Sequence, residues 1–330
     1  MFTKLKNRAK LGAVTVYCGT LMGGVAGSGF AAPATRTVAV TVDDLPGASA
    51  ALVANDPDTV RATNRRLVEA LAAAGVPAVG FVNEGKLDKE GEDASARAVR
   101  IAALRLWVDA GFELGNHTYS HLSLNRLPLE EFQADVVRGE PVTRELLAAK
   151  GKSLRYFRHP FLQVGLELDK RRAFERFLAE HGYTVAPVTI DNDEYMFAAV
   201  YADALRRGDR AAAERVAVAY LDYMEQVFAF FEETSRRLFE REPAQVLLLH
   251  VNALNADRFA DLAARMTARG YRFVPLESAL ADPAYASPDD YVGAWGISWL
   301  HHWELAAGRP RSPSPDPPAW IGGAYEALPW

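Results

Sequence analysis

Three observations predict an α/β barrel with parallel strands. Short β-rich runs alternate with longer helical stretches, most helical stretches end in glycine, and the reactive polar residues fall where strands end. The β-rich runs are 37–42, 76–82, 112–115, 154–157, 184–190, 245–249 and 271–275. The helical stretches are 57–74, 94–110, 129–150, 167–181 and 256–269. Gly75, Gly111, Gly151, Gly182 and Gly270 follow helices or close them, as a left-handed C-terminal cap requires. Strands alternating with crossover helices pair in parallel, and seven such units predict a barrel that is nearly or fully closed.

Two segments interrupt this alternation. A helical insertion is expected over about 197–242. Its second helix starts near Asp209 and carries Val216, Tyr220, Tyr223, Val227, Phe231, Thr234 and Leu238 at three- or four-residue spacing, the pattern of a core-facing stripe. The other segment is a C-terminal extension over 283–330. It holds Trp295, Trp299, Trp303, Trp320 and Trp330, with a proline-rich run at 310–318 that reads as extended linker. Its tryptophans suit either a hydrophobic lid or sugar stacking, with the lid favoured. His301 and His302 read as surface or packing histidines.

The N-terminus has the layout of a secretory signal peptide over 1–34. Lys4, Lys6, Arg8 and Lys10 precede an apolar, glycine-rich stretch, and Ala32-Pro33-Ala34 offers a small-residue cleavage site. A secreted or periplasmic protein is therefore expected, with no stable membrane insertion once the signal is removed. The catalytic domain would then occupy 35–282. The whole chain has 37 basic and 42 acidic residues, and loss of the signal leaves a charge of about −9. That balance excludes nucleic acid as a partner, because phosphate backbones demand basic surface. The single cysteine, Cys18, lies in the signal, so the mature chain has no disulfide, cysteine nucleophile or cysteine-bound metal.

The chemistry-bearing residues sit at the predicted C-terminal rim: Asp43 and Asp44, His117 and His121, Arg158, Asp191 to Tyr195, and His250. In parallel barrels this rim is where loops from every strand converge on an active site. His117 and His121 are spaced to face one point, and a carboxylate beside them gives a three-ligand metal site with an open position. Thr118 stands where a zinc peptidase would carry its glutamate base. The base must come from elsewhere: Asp43 suits that role, with Asp44 as ligand and Arg158 tuning Asp43. His250 is placed to protonate a leaving nitrogen, and the Tyr119 backbone amide to help hold an oxyanion. Taken singly, each residue also suits a plain structural role, as helix cap, surface charge or core histidine.

In these motifs the chain resembles the polysaccharide deacetylases, carbohydrate esterase family 4 with the NodB-homology domain. Thr41-Val42-Asp43-Asp44, His117-Thr118-Tyr119-Ser120-His121, Arg158-His159-Pro160-Phe161 and Leu248-Leu249-His250 resemble four of its motifs, over roughly 37–282. The resemblance implies a distorted (β/α)7 barrel of the NodB-homology type and a divalent metal on Asp44, His117 and His121. Zinc is the expected ion, with cobalt, nickel or manganese as alternatives. It also implies Asp43 as base, His250 as acid, Arg158 orienting the base, and Pro160, Phe161, Tyr119, Tyr195 and Leu248 lining a groove for a carbohydrate substrate. The fourth motif departs from the family pattern. Asp191-Asn192-Asp193-Glu194-Tyr195 has Glu194 and Tyr195 where Asp and Trp are usual, leaving Asp191, Asp193 and Glu194 as candidate partners of Arg158.

The expected reaction is N-deacetylation of an oligo- or polysaccharide. The alternatives are a deacylase of a small, non-polymeric C–N substrate, a non-haem iron oxygenase with a two-histidine, one-carboxylate site, and a non-catalytic carbohydrate-binding relative.

Overall fold

The computed structural model describes residues 36–48 and 51–329. The segment 1–34 read as a signal peptide lies outside the described residues, as does Trp330. Among the described residues, no helix is long and apolar enough to cross a membrane.

In chain order the elements are β1 (Arg36–Leu45), α1 (Pro57–Ala73), β2 (Val79–Val82), α2 (Ala94–Asp109), β3 (Glu113–Asn116), α3 (Leu129–Arg138), α4 (Pro141–Ala148), β4 (Tyr156–Phe157), α5 (Leu168–Glu180) and β5 (Thr184–Val185). There follow α6 (Glu194–Arg206), α7 (Arg210–Phe239), β6 (Gln245–His250), α8 (Ala253–Ala268), β7 (Tyr271–Phe273), α9 (Leu276–Leu280), α10 (Trp299–Ala306) and α11 (Ala319–Glu326). The strands run β5-β4-β3-β2-β1-β6, with β7 on the first residues of β1, and every pairing is parallel. Thr189 and Ile190 then reach β6: both amides donate to the Val246 carbonyl at 3.0 Å, and Leu248 N donates to Ile190 O at 3.2 Å. These bonds curl the sheet into a distorted (β/α) barrel.

Local chemistry explains the elements. Asp56 caps α1 by accepting from Thr59 N at 2.9 Å, and Pro57 presets the first helical turn. Asp93 and Asp209 cap α2 and α7 in the same way. Gly111 and Gly270 leave α2 and α8 with φ of 88° and 87°, which an L side chain would resist. β1 is buried almost throughout, as a central parallel strand covered by helices on its outer side must be.

Two expectations are corrected. The single helix expected over 129–150 is two, α3 and α4, because Pro141 lacks the amide a continuous helix needs and instead starts α4. Gly139 between them lets α3 press on the loop after β3: a Cβ there would lie 2.8 Å from Thr118 C and Tyr119 N. The run expected over 184–190 is a two-residue strand followed by an isolated bridge, with Pro187 in the gap.

The insertion is helical, and its stripe faces inward. Tyr220, Tyr223, Val227, Phe231 and Thr234 are buried, and Leu238 is half-buried. In the C-terminal extension 310–318 carries no helix or strand, but α10 and α11 flank it. Trp299 and Trp303 pack in the core, whereas Trp295 is 76% and Trp320 49% exposed. His301 and His302 are buried, not on the surface; His302 Nδ1 meets Asp289, which in turn takes both terminal nitrogens of Arg171 at 2.9 and 2.8 Å.

Candidate active site

Sheet register and one irregularity assemble the centre. Asp43 on β1 pairs with His250 on β6, so the candidate base and acid are neighbours by strand pairing. Between Val42 and Leu45 the register with β2 slips, and Asp44 has φ 71°. The slip turns consecutive carboxylates, which a regular strand would send to opposite faces, toward one site.

Asp44, His117 and His121 bring one donor atom each to within 4.8 Å of one another. Asp44 Oδ1 lies 3.4 Å from His121 Nε2, close to the separation that bonds of about 2.1 Å at tetrahedral angles set around one ion. His117 Nδ1 lies 2.9 Å from the Arg158 carbonyl, which fixes the proton on Nδ1 and leaves the Nε2 lone pair for a metal. Burial lowers the pKa of His117 well below the usual imidazole value and that of His121 to about 4, so both are neutral donors near pH 7. Burial raises the pKa of Asp44, but the Lys86 ammonium outweighs it and holds the carboxylate ionised. Two neutral imidazoles and one carboxylate are the donor set a divalent ion takes.

These ligands ride on strained backbone. Among the described residues, Asp44, Thr118, His121, Phe161, Leu162 and Glu240 are the non-glycine residues with positive φ. All but Glu240 lie around this site, Asp44 near the end of β1 and the others after β3 and β4. Such conformations cost of order 1–3 kcal/mol each and persist where surrounding contacts enforce them. Here Thr118 Oγ1 accepts from His121 N at 3.0 Å, and Asn116 Oδ1 from Thr118 N at 2.7 Å, folding the ligand loop so that both histidines face inward.

Asp43 is buried against Arg158, whose guanidinium donates to Asp43 Oδ2 at 3.3 Å and to Thr41 Oγ1 at 2.8 Å. Burial raises the Asp43 pKa to about 6, a rise Arg158 limits. Asp43 Oδ1 is buried with no donor among the described residues, so an acceptor lone pair is left for a substrate or water proton.

His250 is oriented from the far side. Its Nδ1 lies 2.8 Å from Glu194 Oε2, and Glu194 is fully buried. Asn255 Nδ2 donates to Glu194 Oε1 at 2.8 Å, and Asn252 Nδ2 donates to the same oxygen. Tyr220 of the insertion donates to Asn255 Oδ1 at 2.9 Å. Burial opposes a charge on His250, but Glu194 more than compensates and raises its pKa to about 9. An imidazolium with its Nδ1 held by Glu194 can offer its Nε2 proton.

Several expected roles are corrected. Glu194 is not the partner of Arg158; it holds His250. Asp193 is tied to Tyr223, whose hydroxyl accepts from Asp193 N at 3.0 Å. Asp191 reaches Arg158 only through its charge, while burial and Asp193 raise its own pKa to about 7. The Tyr119 amide does not face an oxyanion: it donates to the Asp135 carbonyl at 3.1 Å, and Arg138 covers the Tyr119 ring at 3.6 Å. Of the expected groove residues, Pro160 and Leu248 are buried, whereas Phe161 and Tyr195 are exposed. The Phe161 ring lies 4.5 Å from His121, and Tyr195 meets Tyr325 of α11 edge-on at 5.6 Å.

One residue escaped the sequence reading. Lys86, on a one-turn helix (Glu84–Leu87) after β2, places Nζ 2.7 Å from Asp44 Oδ1. Its signal was position: it follows the one central strand to which no polar rim residue had been assigned.

The family model for polysaccharide deacetylase matches residues 31–186. The chain carries a polysaccharide deacetylase domain. The match assigns this segment to a family of hydrolases of non-peptide carbon–nitrogen bonds. The match is narrower than the resemblance read from the motifs, ending before Glu194 and His250. No curated protein matches the sequence. Among solved structures, the family 4 carbohydrate esterase of Streptomyces lividans in complex with acetate is 17% identical, with 74% of this chain and 95% of that one covered and a TM-score of 0.44. The peptidoglycan deacetylase PdaC of Bacillus subtilis is 17% identical, with 76% and 93% covered and a TM-score of 0.45. A family 4 pseudoenzyme of Bacillus anthracis is 15% identical, with 76% and 66% covered and a TM-score of 0.47. Identities this low assign no role to any residue.

Proposed function

We propose that the protein is an exported, metal-dependent deacetylase that removes an acetyl group from an amide nitrogen on a carbohydrate. The observation that carries this reading is the strand pairing of a carboxylate and an imidazole, Asp43 and His250, beside a three-donor site. Asp44, His117 and His121 would hold a divalent ion, zinc by donor chemistry, which when bound polarises the amide carbonyl and acidifies water. Asp43, ionised above about pH 6, takes the proton of the attacking water through its free Oδ1. Arg158 keeps that carboxylate fixed and charged. His250 gives its proton to the departing amine, which cannot leave as an anion, and Glu194 stabilises the imidazolium beforehand. Phe161 and Tyr195 would bracket the sugar.

Tyr325 of α11 stands edge-on against Tyr195, and an added aromatic wall there favours a short or non-polymeric N-acyl substrate as a second reading. Acetate release from N-acetylated oligosaccharides of graded length, with and without chelator, tests both. Release that chelator abolishes and zinc restores is expected. Metal-loaded protein that releases no acetate from any glycan would refute the carbohydrate reading, and turnover of only monomeric amides would select the second.

A further inference from the structure

Lys86 does not reach Asp44 by accident of a flexible side chain. Three residues of the turn that presents it fix that turn against α4 and the loop after β3. The buried Glu84 carboxylate accepts from Val142 N at 3.2 Å and Thr143 N at 2.7 Å in the first turn of α4. Gly85 N donates to Tyr119 O at 3.0 Å, and a Cβ at Gly85 would lie 2.5 Å from that oxygen, so the approach requires glycine. Asn83 Nδ2 donates to the His117 carbonyl, and Lys86 N donates back to Asn83 O at 3.0 Å. The turn is therefore braced against the segment carrying both candidate histidine ligands. From it the Lys86 ammonium bonds Asp44 Oδ1 and approaches the Asp44 carbonyl at 3.5 Å.

We propose that Lys86 is a positioning residue that acts as a built-in counter-cation: it holds the Asp44 carboxylate in ligand geometry and, by sharing its charge, weakens the site's hold on a divalent ion. The proposal rests on the assignment of Asp44, His117 and His121 as metal ligands. Asp44 is the one carboxylate of the set, so an ammonium at 2.7 Å offsets the charge that would attract the metal. A cation that stays must repel the ion, and one that moves away must first be pulled from its carboxylate. Both routes lower affinity. Asp44 also needs an enforced geometry, because its φ of 71° is one a non-glycine residue resists.

The test is zinc affinity rather than turnover. The full chain is stripped of metal and titrated with zinc against a chromophoric chelator, for wild type, Lys86→Met and Lys86→Arg. Lys86→Met keeps the length and loses the charge; its zinc dissociation constant should fall about tenfold or more, while Lys86→Arg, keeping the charge, should stay within about threefold of wild type. The zinc-induced rise in Tm should be larger for Lys86→Met than for wild type. Equal or weaker zinc binding by Lys86→Met would overturn the proposal, as would a Lys86→Arg protein that behaves like it. Failure of all three proteins to bind zinc would reject the ligand assignment and the proposal together. Unchanged affinity in a protein that still releases acetate would reject the role of Lys86 alone.

Discussion

The metal-side flank (Asp44, His117 and His121) and the proton-side flank (His250 and Glu194) meet the same demand with opposite means. On the metal side the backbone is left-handed at 44, 118 and 121, and the loop of the two histidines is folded by bonds between near neighbours in sequence, with Arg158 O on His117 and Lys86 on Asp44 added from farther away. On the proton side the backbone is ordinary strand and helix, and precision comes from side chains brought from afar: Glu194 on α6, Asn255 on α8 and Tyr220 on α7. One flank stores strain in its backbone. The other buries a carboxylate and satisfies it with donors. Each metal-side ligand belongs to a short motif, Asp44 beside Asp43 and His117 four residues before His121, whereas the proton-side partners of His250 are single residues in no common motif.

The largest effect should come from the residue joining the flanks. Asp43→Asn keeps shape and hydrogen bonding but cannot take a proton, so kcat should fall by about 10²–10⁴-fold. Zinc stoichiometry should be unchanged, because Asp44, His117 and His121 are untouched; steady-state kinetics with elemental analysis reads both. A variant that loses metal as well would show that Asp43 belongs to the metal side, and the division between flanks would fail.

That division also explains what could be read from the sequence. The motifs around Asp43, His117 and Arg158 lie at strand ends and were assigned together, with Asp44 and His121, from that placement and from the resemblance of the ordered motifs to one family. Glu194 was found as a residue but given the wrong partner. A linear motif shows neither that α6 turns its first residue toward β6 nor that Asn252 and Asn255 stand ready to donate to it. Lys86 was missed because a lone lysine after a strand has no spacing partner; its meaning comes from Glu84, bonded to α4, and from Asn83 and Gly85, bonded to the loop after β3. The fold was legible wherever capping and alternation agreed. It was misread at Pro141 and Pro187, where hydrophobic periodicity continues past a residue that cannot.

A smaller effect is expected from Glu194→Gln. With Asp43 as base and His250 as acid, activity should follow a bell: it rises as Asp43 ionises, near pH 6 without metal, and falls as His250 deprotonates, near pH 9. A bound dication draws both limbs lower, since it favours carboxylate over carboxylic acid and neutral over charged imidazole. Glu194 raises the His250 pKa by favouring the protonated ring, so its neutralisation must lower the high-pH limb toward the ordinary imidazole value of about 6.5 and leave the low-pH limb in place. A pH–rate profile of the variant checks this. Movement of the low-pH limb instead would mean that Glu194 acts on Asp43, as the sequence alone had allowed.

The smallest effect separates the flanks by stability rather than rate. Asn255→Ala removes one of the donors that satisfy the buried Glu194 carboxylate and strands the Tyr220 hydroxyl, at a cost of about 1–3 kcal/mol. Phe161→Gly on the metal side removes a side chain that is 56% exposed and relieves a positive φ, so strain released and chain entropy gained by the unfolded state should nearly cancel, within about 1 kcal/mol. Thermal denaturation of the two metal-free variants compares them directly. A lower Tm for Asn255→Ala with little change for Phe161→Gly is expected if one flank depends on satisfied burial and the other on tolerated strain. A large loss in Phe161→Gly would mean that its loop is held by the phenyl ring packed on His121, and that the metal side, too, gains its precision from side-chain contacts.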